Sequence, residues 1–192
     1  MRGLKLLLTN MYRLNFLLIT LFFISNFSFS QDNIYTDEHD DGTYSKGIYV
    51  DGLKQGEWIK YYSSGKKFIV ANYINDTLEG SVKSYYKNGS IQAENNYLKG
   101  KLNGISKQFD IKGKPIREIS YQNNLIFGNC IYYENGIIYN EQYYKNGIPN
   151  GPGKEYDEKG NLQYEYILLA NNQRTNSVCY NKNGKKVPCN FF

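Results

Sequence analysis

"YYKNGSIQAENNYLKGKLNG", residues 85–104, opens with a phrase that returns at 143–151 as "YYKNGIPNG". Related phrases stand at 61–67 (YYSSGKK), 132–138 (YYENGII), 156–162 (YDEKGNL) and 180–186 (YNKNGKK). Gly42, Gly65, Gly89, Gly113, Gly136, Gly160 and Gly184 follow one another at intervals of 23, 24, 24, 23, 24 and 24 residues. A fixed period of this length marks an array of stacked units. Four residues before each of the last six glycines stands an aromatic: Tyr61, Tyr85, Phe109, Tyr132, Tyr156 and Tyr180. Eight residues after them come Tyr73, Tyr97, Tyr121 and Tyr144, then Leu168 and Phe192.

The composition points to strands and turns. The chain holds 20 Tyr and 18 Gly, and residue runs with a helical apolar period are scarce. Asn-Gly at 88–89, 135–136 and 183–184 predicts two-residue hairpin turns, since both central positions need positive φ. The turn glycines are then Gly65, Gly89, Gly113, Gly136, Gly160 and Gly184, with a second, looser turn between hairpins, as in LKGKLNG at 98–104. This register sets Lys83 against Glu94, Lys107 against Glu118, Lys154 against Glu165, Ile59 against Val70, and Val178 against Cys189. The aromatic column and the Lys–Glu pairs share one face; Trp58, Tyr62, Tyr86, Ile91, Ile138 and Leu162 are expected on the other. Neither face is cleanly apolar, so a two-layer sandwich is disfavoured. The expectation is an all-β, elongated, largely single-layer antiparallel meander of about six hairpin repeats, with rings of neighbouring units packed on one another. Residues 31–48 read as a lead-in and partial repeat, 49–167 as five hairpin repeats, and 168–192 as a degenerate cap.

The stretches NGSIQAENNYLKGKLNG (88–104), SGKKFIVANYINDTLEG (64–80) and GLKQGEWIKYYSSGKK (52–67) resemble the MORN repeat variant of bacterial proteins, with its Y-x-x-G-x-x-x-G-x-W-x-x-Y-Y-x-x-G-K pattern. Chains of this kind are often called antitoxins of the YwqK type. The resemblance spans about residues 42 to 190 and implies a meandering β array that makes protein or membrane contacts without catalysis. The chain departs from the pattern in having Trp58 as its single Trp and in a unit from Leu168 that lacks its first two glycines.

Residues 1–30 read differently. They contain Arg2, Lys5 and Arg13, no acidic residue, an apolar run from Leu14 to about Phe23, and the small-x-small Ser28-Phe29-Ser30 before Gln31. This is the pattern of a secretory signal peptide, and Met11 supplies an alternative start. The apolar run, broken by Asn15, Thr20 and Asn26, is shorter than the ~20 residues of a spanning helix, so no integral span is expected after cleavage. Three of the 23 basic residues and none of the 18 acidic ones fall in this segment, leaving 20 against 18. Nucleic-acid binding, which needs a basic stripe, is not expected.

Chemistry is sparse. His39, the single histidine, lies in an acidic turn with Asp37, Glu38, Asp40 and Asp41 that lacks the spacing of a calcium loop. Glu94, Glu118, Glu141 and Glu165 recur once per unit, at separations a glycosidase could use, but lysines facing three of them keep a carboxylate ionised where a general acid must be protonated. No catalytic residue, metal site or cofactor is therefore predicted. In the two-residue register Cys189 faces Val178 and Cys179 points away, so a Cys179–Cys189 bridge requires a shifted final turn; Cys130 reads as a buried filler.

The function expected is a non-enzymatic, exported scaffold that binds an unidentified protein at the cell envelope or surface. The column Tyr61, Tyr85, Phe109, Tyr132, Tyr156 and Tyr180 is its candidate partner surface. A polysaccharide- or peptidoglycan-binding module using exposed tyrosines, or an inhibitor of an envelope or secreted toxin, are the alternatives. Mass spectrometry of the exported protein should find its N-terminus at Gln31 or within a few residues of it; recovery of an intact N-terminus from membranes would contradict cleavage.

Overall fold

The computed structural model describes residues 34–189. The expected signal segment and Phe192 lie outside the described residues. The first strands are β1 (Ile34–Glu38), β2 (Tyr44–Val50), β3 (Leu53–Tyr61), β4 (Lys67–Ile74), β5 (Thr77–Leu78) and β6 (Gly80–Tyr85). They are followed by β7 (Ile91–Leu98), β8 (Lys101–Leu102), β9 (Gly104–Phe109), β10 (Pro115–Gln122) and β11 (Leu125–Glu134). The last are β12 (Ile137–Lys145), β13 (Ile148–Tyr156), β14 (Leu162–Leu168), β15 (Arg174–Tyr180) and β16 (Lys186–Val187). All pair antiparallel in chain order within one open sheet; β5 and β8 are short forerunners of β6 and β9 that pair with β4 and β7. The all-β meander is as the repeat predicts.

Two kinds of turn alternate, and they are the reverse of the expected assignment. Five of the six turns between hairpins are the tight ones; the last, between Leu169 and Gln173, holds three residues. Asp51-Gly52, Asn75-Asp76, Lys99-Gly100, Asn123-Asn124 and Asn146-Gly147 all have positive φ at both positions and join directly paired residues. At the period glycines the loop is one residue wider. The N–H of Gly89 donates to the carbonyl of Tyr86, and the N–H of Tyr86 donates to the carbonyl of Ser90. Gly65, Gly113, Gly160 and Gly184 repeat this arrangement, so each loop holds three residues and ends on a left-handed glycine. Only Asn135-Gly136 forms the expected two-residue turn, between Glu134 and Ile137.

The charge register nevertheless holds, because a β-bulge offsets the wider loops at Gly65, Gly89, Gly113 and Gly160. Tyr85 faces Ile91, whereas Ser84 faces Ala93, which leaves Gln92 as the extra residue and restores Lys83 opposite Glu94. The same offset keeps Ile59 opposite Val70, Lys107 opposite Glu118, and Lys154 opposite Glu165. It also corrects the face of Ile91, Ile138 and Leu162. They stand opposite Tyr85, Tyr133 and Tyr156, on the side of the aromatic column rather than across the sheet from it.

In the last hairpin Cys179 faces Val187 rather than a residue further along, because the wider loop has no bulge before that pair. Val178 and Cys189 are thus not the pair the sequence suggests. Cys189, two residues beyond Val187, reaches the Cys179 side, and the two form a disulfide with Cα atoms 5.3 Å apart. The bridge pins a terminal strand only two residues long. Cys130 remains a free, fully buried thiol.

Among the described residues there is no second layer, and burial follows lines that run across the strands. On one face Trp58 pairs with Ala71, and the line continues through Val82, Asn95, Ser106, Ile119, Cys130, Gln142 and Gly153 to Tyr166. Trp58, Ala71, Ile119, Cys130, Gln142 and Tyr166 are each at most 5% exposed, so this line is the core. Large rings lie over glycines: Trp58 covers Gly47, and Tyr166 covers Gly153. Gly153 does not have a left-handed φ, so its substitution tests packing alone. A Cβ there would collide with the Tyr166 ring and with Gln142 Oε1. Gly153→Ala should lower stability by about 1–3 kcal/mol, the usual cost of overpacking. Urea melts that leave the midpoint unchanged would show that the ring moves freely aside.

Candidate functional site

The opposite face carries an unbroken row of paired residues, one from each full-length strand. It runs Lys46, Ile59, Val70, Lys83, Glu94, Lys107, Glu118, Ile131, Glu141, Lys154, Glu165, Val178. Charges of opposite sign alternate along its middle. Nζ–Oε1 distances are 3.0 Å for Lys83–Glu94 and 3.6 Å for both Lys107–Glu118 and Lys154–Glu165. Partly exposed pairs of this kind contribute at most about 1 kcal/mol each.

Next to this row stands the aromatic column, with one member corrected. Because Asn135-Gly136 makes the shorter turn, Tyr133 occupies the column's place, and Tyr132 turns to the core face with its hydroxyl 3.5 Å from that of Tyr144. The column is therefore Tyr61, Tyr85, Phe109, Tyr133, Tyr156 and Tyr180, all half-buried. Its rings do not form the expected ladder. Consecutive members are separated by an intervening strand, about 9–10 Å in all, which exceeds ring contact. Among the described residues ring pairs form elsewhere, as in Tyr44 on Tyr61 (5.0 Å) and Tyr62 on Phe68 (4.6 Å).

Three of the five column phenols meet instead the glutamate of the preceding strand. Tyr133 Oη donates to Glu118 at 3.1 Å, Tyr156 to Glu141 at 2.6 Å, and Tyr180 to Glu165 at 2.5 Å. Glu141, whose row neighbour Ile131 offers no charge, thus finds a partner that the lysine pattern did not reveal. The spacing of 15 residues between donor and acceptor was legible, but only the structure shows that they lie on adjacent strands.

The other periodic tyrosines share a kind of partner: Tyr73, Tyr97, Tyr121 and Tyr144 stand opposite Gly56, Gly80, Gly104 and Gly128, all with positive φ. Units are tied by further phenols: Tyr62 Oη donates to the Tyr85 carbonyl at 2.7 Å, and Tyr86 Oη to the Phe109 carbonyl at 2.8 Å.

His39 Nε2 lies 2.9 Å from Ser45 Oγ. Ser45 is only 7% exposed, so the pair fastens the first hairpin and offers no nucleophile to a substrate. The four glutamates lie on one face, each held by a lysine or a phenol. Among the described residues no group of three or more His, Cys, Asp and Glu could hold a metal ion.

The edge formed by the tight turns is the most apolar exposed feature. Val50 (48%), Leu53 (39%), Ile74 (54%), Leu98 (45%), Leu125 (52%) and Ile148 (49%) put at least one exposed aliphatic side chain on every tip from the first to the fifth. Side chains alternate along a strand, which sets Leu98 on the same side as Glu94, the charged face. Scattered apolar residues are normal on a surface; a line of them repeated at every turn is not.

The MORN repeat variant model matches residues 54–75, 78–99, 130–146 and 149–167. The first two matches each enclose a wide loop and the bulged strand after it, while the third encloses the Asn135-Gly136 turn. No curated protein matches the chain.

The phenol–carboxylate pairs carry a pH signature. Burial, and then the Glu118 and Glu141 carboxylates, raise the pKa of Tyr133 and Tyr156; for Tyr180 the hydrogen bond to Glu165 is the first cause. A raised folded-state pKa means that stability is fully present below the unfolded value of about 10 and is lost as pH rises through the folded values. Urea melts should therefore be level up to about pH 9.5 and fall steadily above it, with a shallower fall in Tyr156→Phe. Tyrosinate absorbance of the folded protein that titrates as one class at the ordinary phenol pKa would contradict the pairing.

Proposed function

From the premise that this chain is built of repeats of the MORN repeat variant family, we propose that it is a non-catalytic scaffold that holds a protein partner at the cell envelope. The observation that supports this reading is the line of exposed aliphatic tips at Val50, Leu53, Ile74, Leu98, Leu125 and Ile148. Successive units present the same group at a fixed pitch, so a partner segment laid along the edge gains one apolar contact per unit. The neighbouring row of alternating charges would set its register, as complementary charges do across interfaces more than they raise affinity. MORN-type repeats serve interaction rather than catalysis, in keeping with a flat, fully paired glutamate row. The envelope location is part of the proposal and rests on the signal-like residues 1–30.

A photo-crosslinking residue placed at Leu98 or Ile74 should capture one discrete partner from the protein's own envelope fraction. The same residue at Asn183, on the opposite edge, should capture none. Leu98→Asp combined with Ile74→Asp should abolish capture while leaving the urea midpoint within about 0.5 kcal/mol, as exposed substitutions do. Equal capture at both edges would remove the basis for the reading.

A further inference from the structure

The core line of the sheet narrows in its middle. Between Trp58 and Ala71 at one end and Ile119 and Cys130 at the other, the core face of β7 and β9 presents Ala93, Asn95 and Ser106. These side chains leave a depression of about 250 Å³ bounded by β7, β9 and β10. Its lining is largely polar: Gln92, Asn95, Lys107, Gln108, Arg117 and Tyr121, with the Lys107 ammonium already paired to Glu118. At its base the Ser106 hydroxyl is buried and has no hydrogen-bond partner. A water's share of liquid volume is about 30 Å³, so the depression has room for far more than one water.

Three features define the chemistry it suits. The rim offers amides, a hydroxyl and a guanidinium, which serve as both donors and acceptors, and no carboxylate lines it. Arg117 Nε donates to Gln108 Oε1 at 2.8 Å, which orients the guanidinium, and Arg117 forms no ion pair among the described residues. Tyr121 faces Gly104 across the strands, so no opposing side chain covers its ring on that side. An aromatic plane, neutral hydrogen-bonding groups and one uncompensated cation match a pyranose ring that bears a carboxylate.

We propose that this depression binds a single uronic-acid-type sugar residue, with the carboxylate on Arg117, the ring against Tyr121, and the ring hydroxyls among the amides of Gln92, Asn95 and Gln108. The site lies on the core face, away from the aliphatic edge, and so stands or falls separately from the protein-docking reading.

The test titrates the isotope-labelled chain, lacking residues 1–30 if export removes them, with glucuronate, glucose and acetate, and follows backbone amide shifts. Glucuronate should move the amides of Ser106, Arg117 and Tyr121 and bind at least about tenfold more tightly than glucose, the gain expected of one charge-assisted contact. Arg117→Gln, at an exposed rim position, should erase that preference while weak glucose binding persists. Equal affinity for glucose and glucuronate, equal shifts with acetate, unchanged preference in Arg117→Gln, or shifts centred elsewhere would each overturn the proposal.

Discussion

In a sheet with no second layer, a side chain can lose contact with water only by lying against residues of the next strand, so every stabilising contact is a cross-strand contact. That constraint explains the lines of residues running at right angles to the strands. On the core face a ring over a glycine, Trp58 on Gly47 or Tyr166 on Gly153, supplies the burial that a facing layer would otherwise give. On the other face the same constraint produces the alternating row of Lys83, Glu94, Lys107 and Glu118, where each charge is flanked by its opposite. Pairs of this kind are weak singly, at roughly 0.2–1 kcal/mol, and stability accumulates by repetition.

The 24-residue unit is held constant by two irregularities that cancel. A three-residue loop would displace the returning strand by one and turn its side chains to the wrong face. The bulge at Gln92 returns them, and it also sets Ile91 opposite Tyr85. The hairpin at Asn135-Gly136 keeps a bulge, with Tyr132 facing Asn140 and Tyr133 facing Ile138, but its loop is shorter, so Tyr133 takes the column position in place of Tyr132.

The features proposed to meet other molecules are places where this pairing is incomplete. At the tight-turn tips the last cross-strand partners, Thr77 for Ile74 and Lys101 for Leu98, leave these aliphatic side chains about half exposed. The depression near Ser106 arises because small side chains fill positions where the same line elsewhere carries Trp58, Ile119 or Tyr166. Both sites are consequences of a repeat that is regular in its backbone and irregular in the sizes of its side chains.

The glycine period, the aromatic column and the Lys–Glu pairs were readable in the sequence because each depends on neighbours in one hairpin, at fixed separations along the chain. The family resemblance rested on the same local signals, and the matched repeats agree with it. Turn type was not readable, and the phrase YYKNG shows why. At 85–89 it forms a wide loop, with Asn88 accepting from the Ser90 N–H and donating to the Ile111 carbonyl of the next unit. At 143–147 the same five residues form a tight turn with Asn146 and Gly147 both at positive φ, closed between Lys145 and Ile148. Identical residues have both conformations within reach, and contacts with the following strand select between them. From that choice followed everything the sequence left open: the place of Tyr133, the phenol partners of the glutamates, and the Cys179–Cys189 bridge. Local chemistry sets which turns are possible; the position of the next strand, known only once the sheet is assembled, decides which one forms.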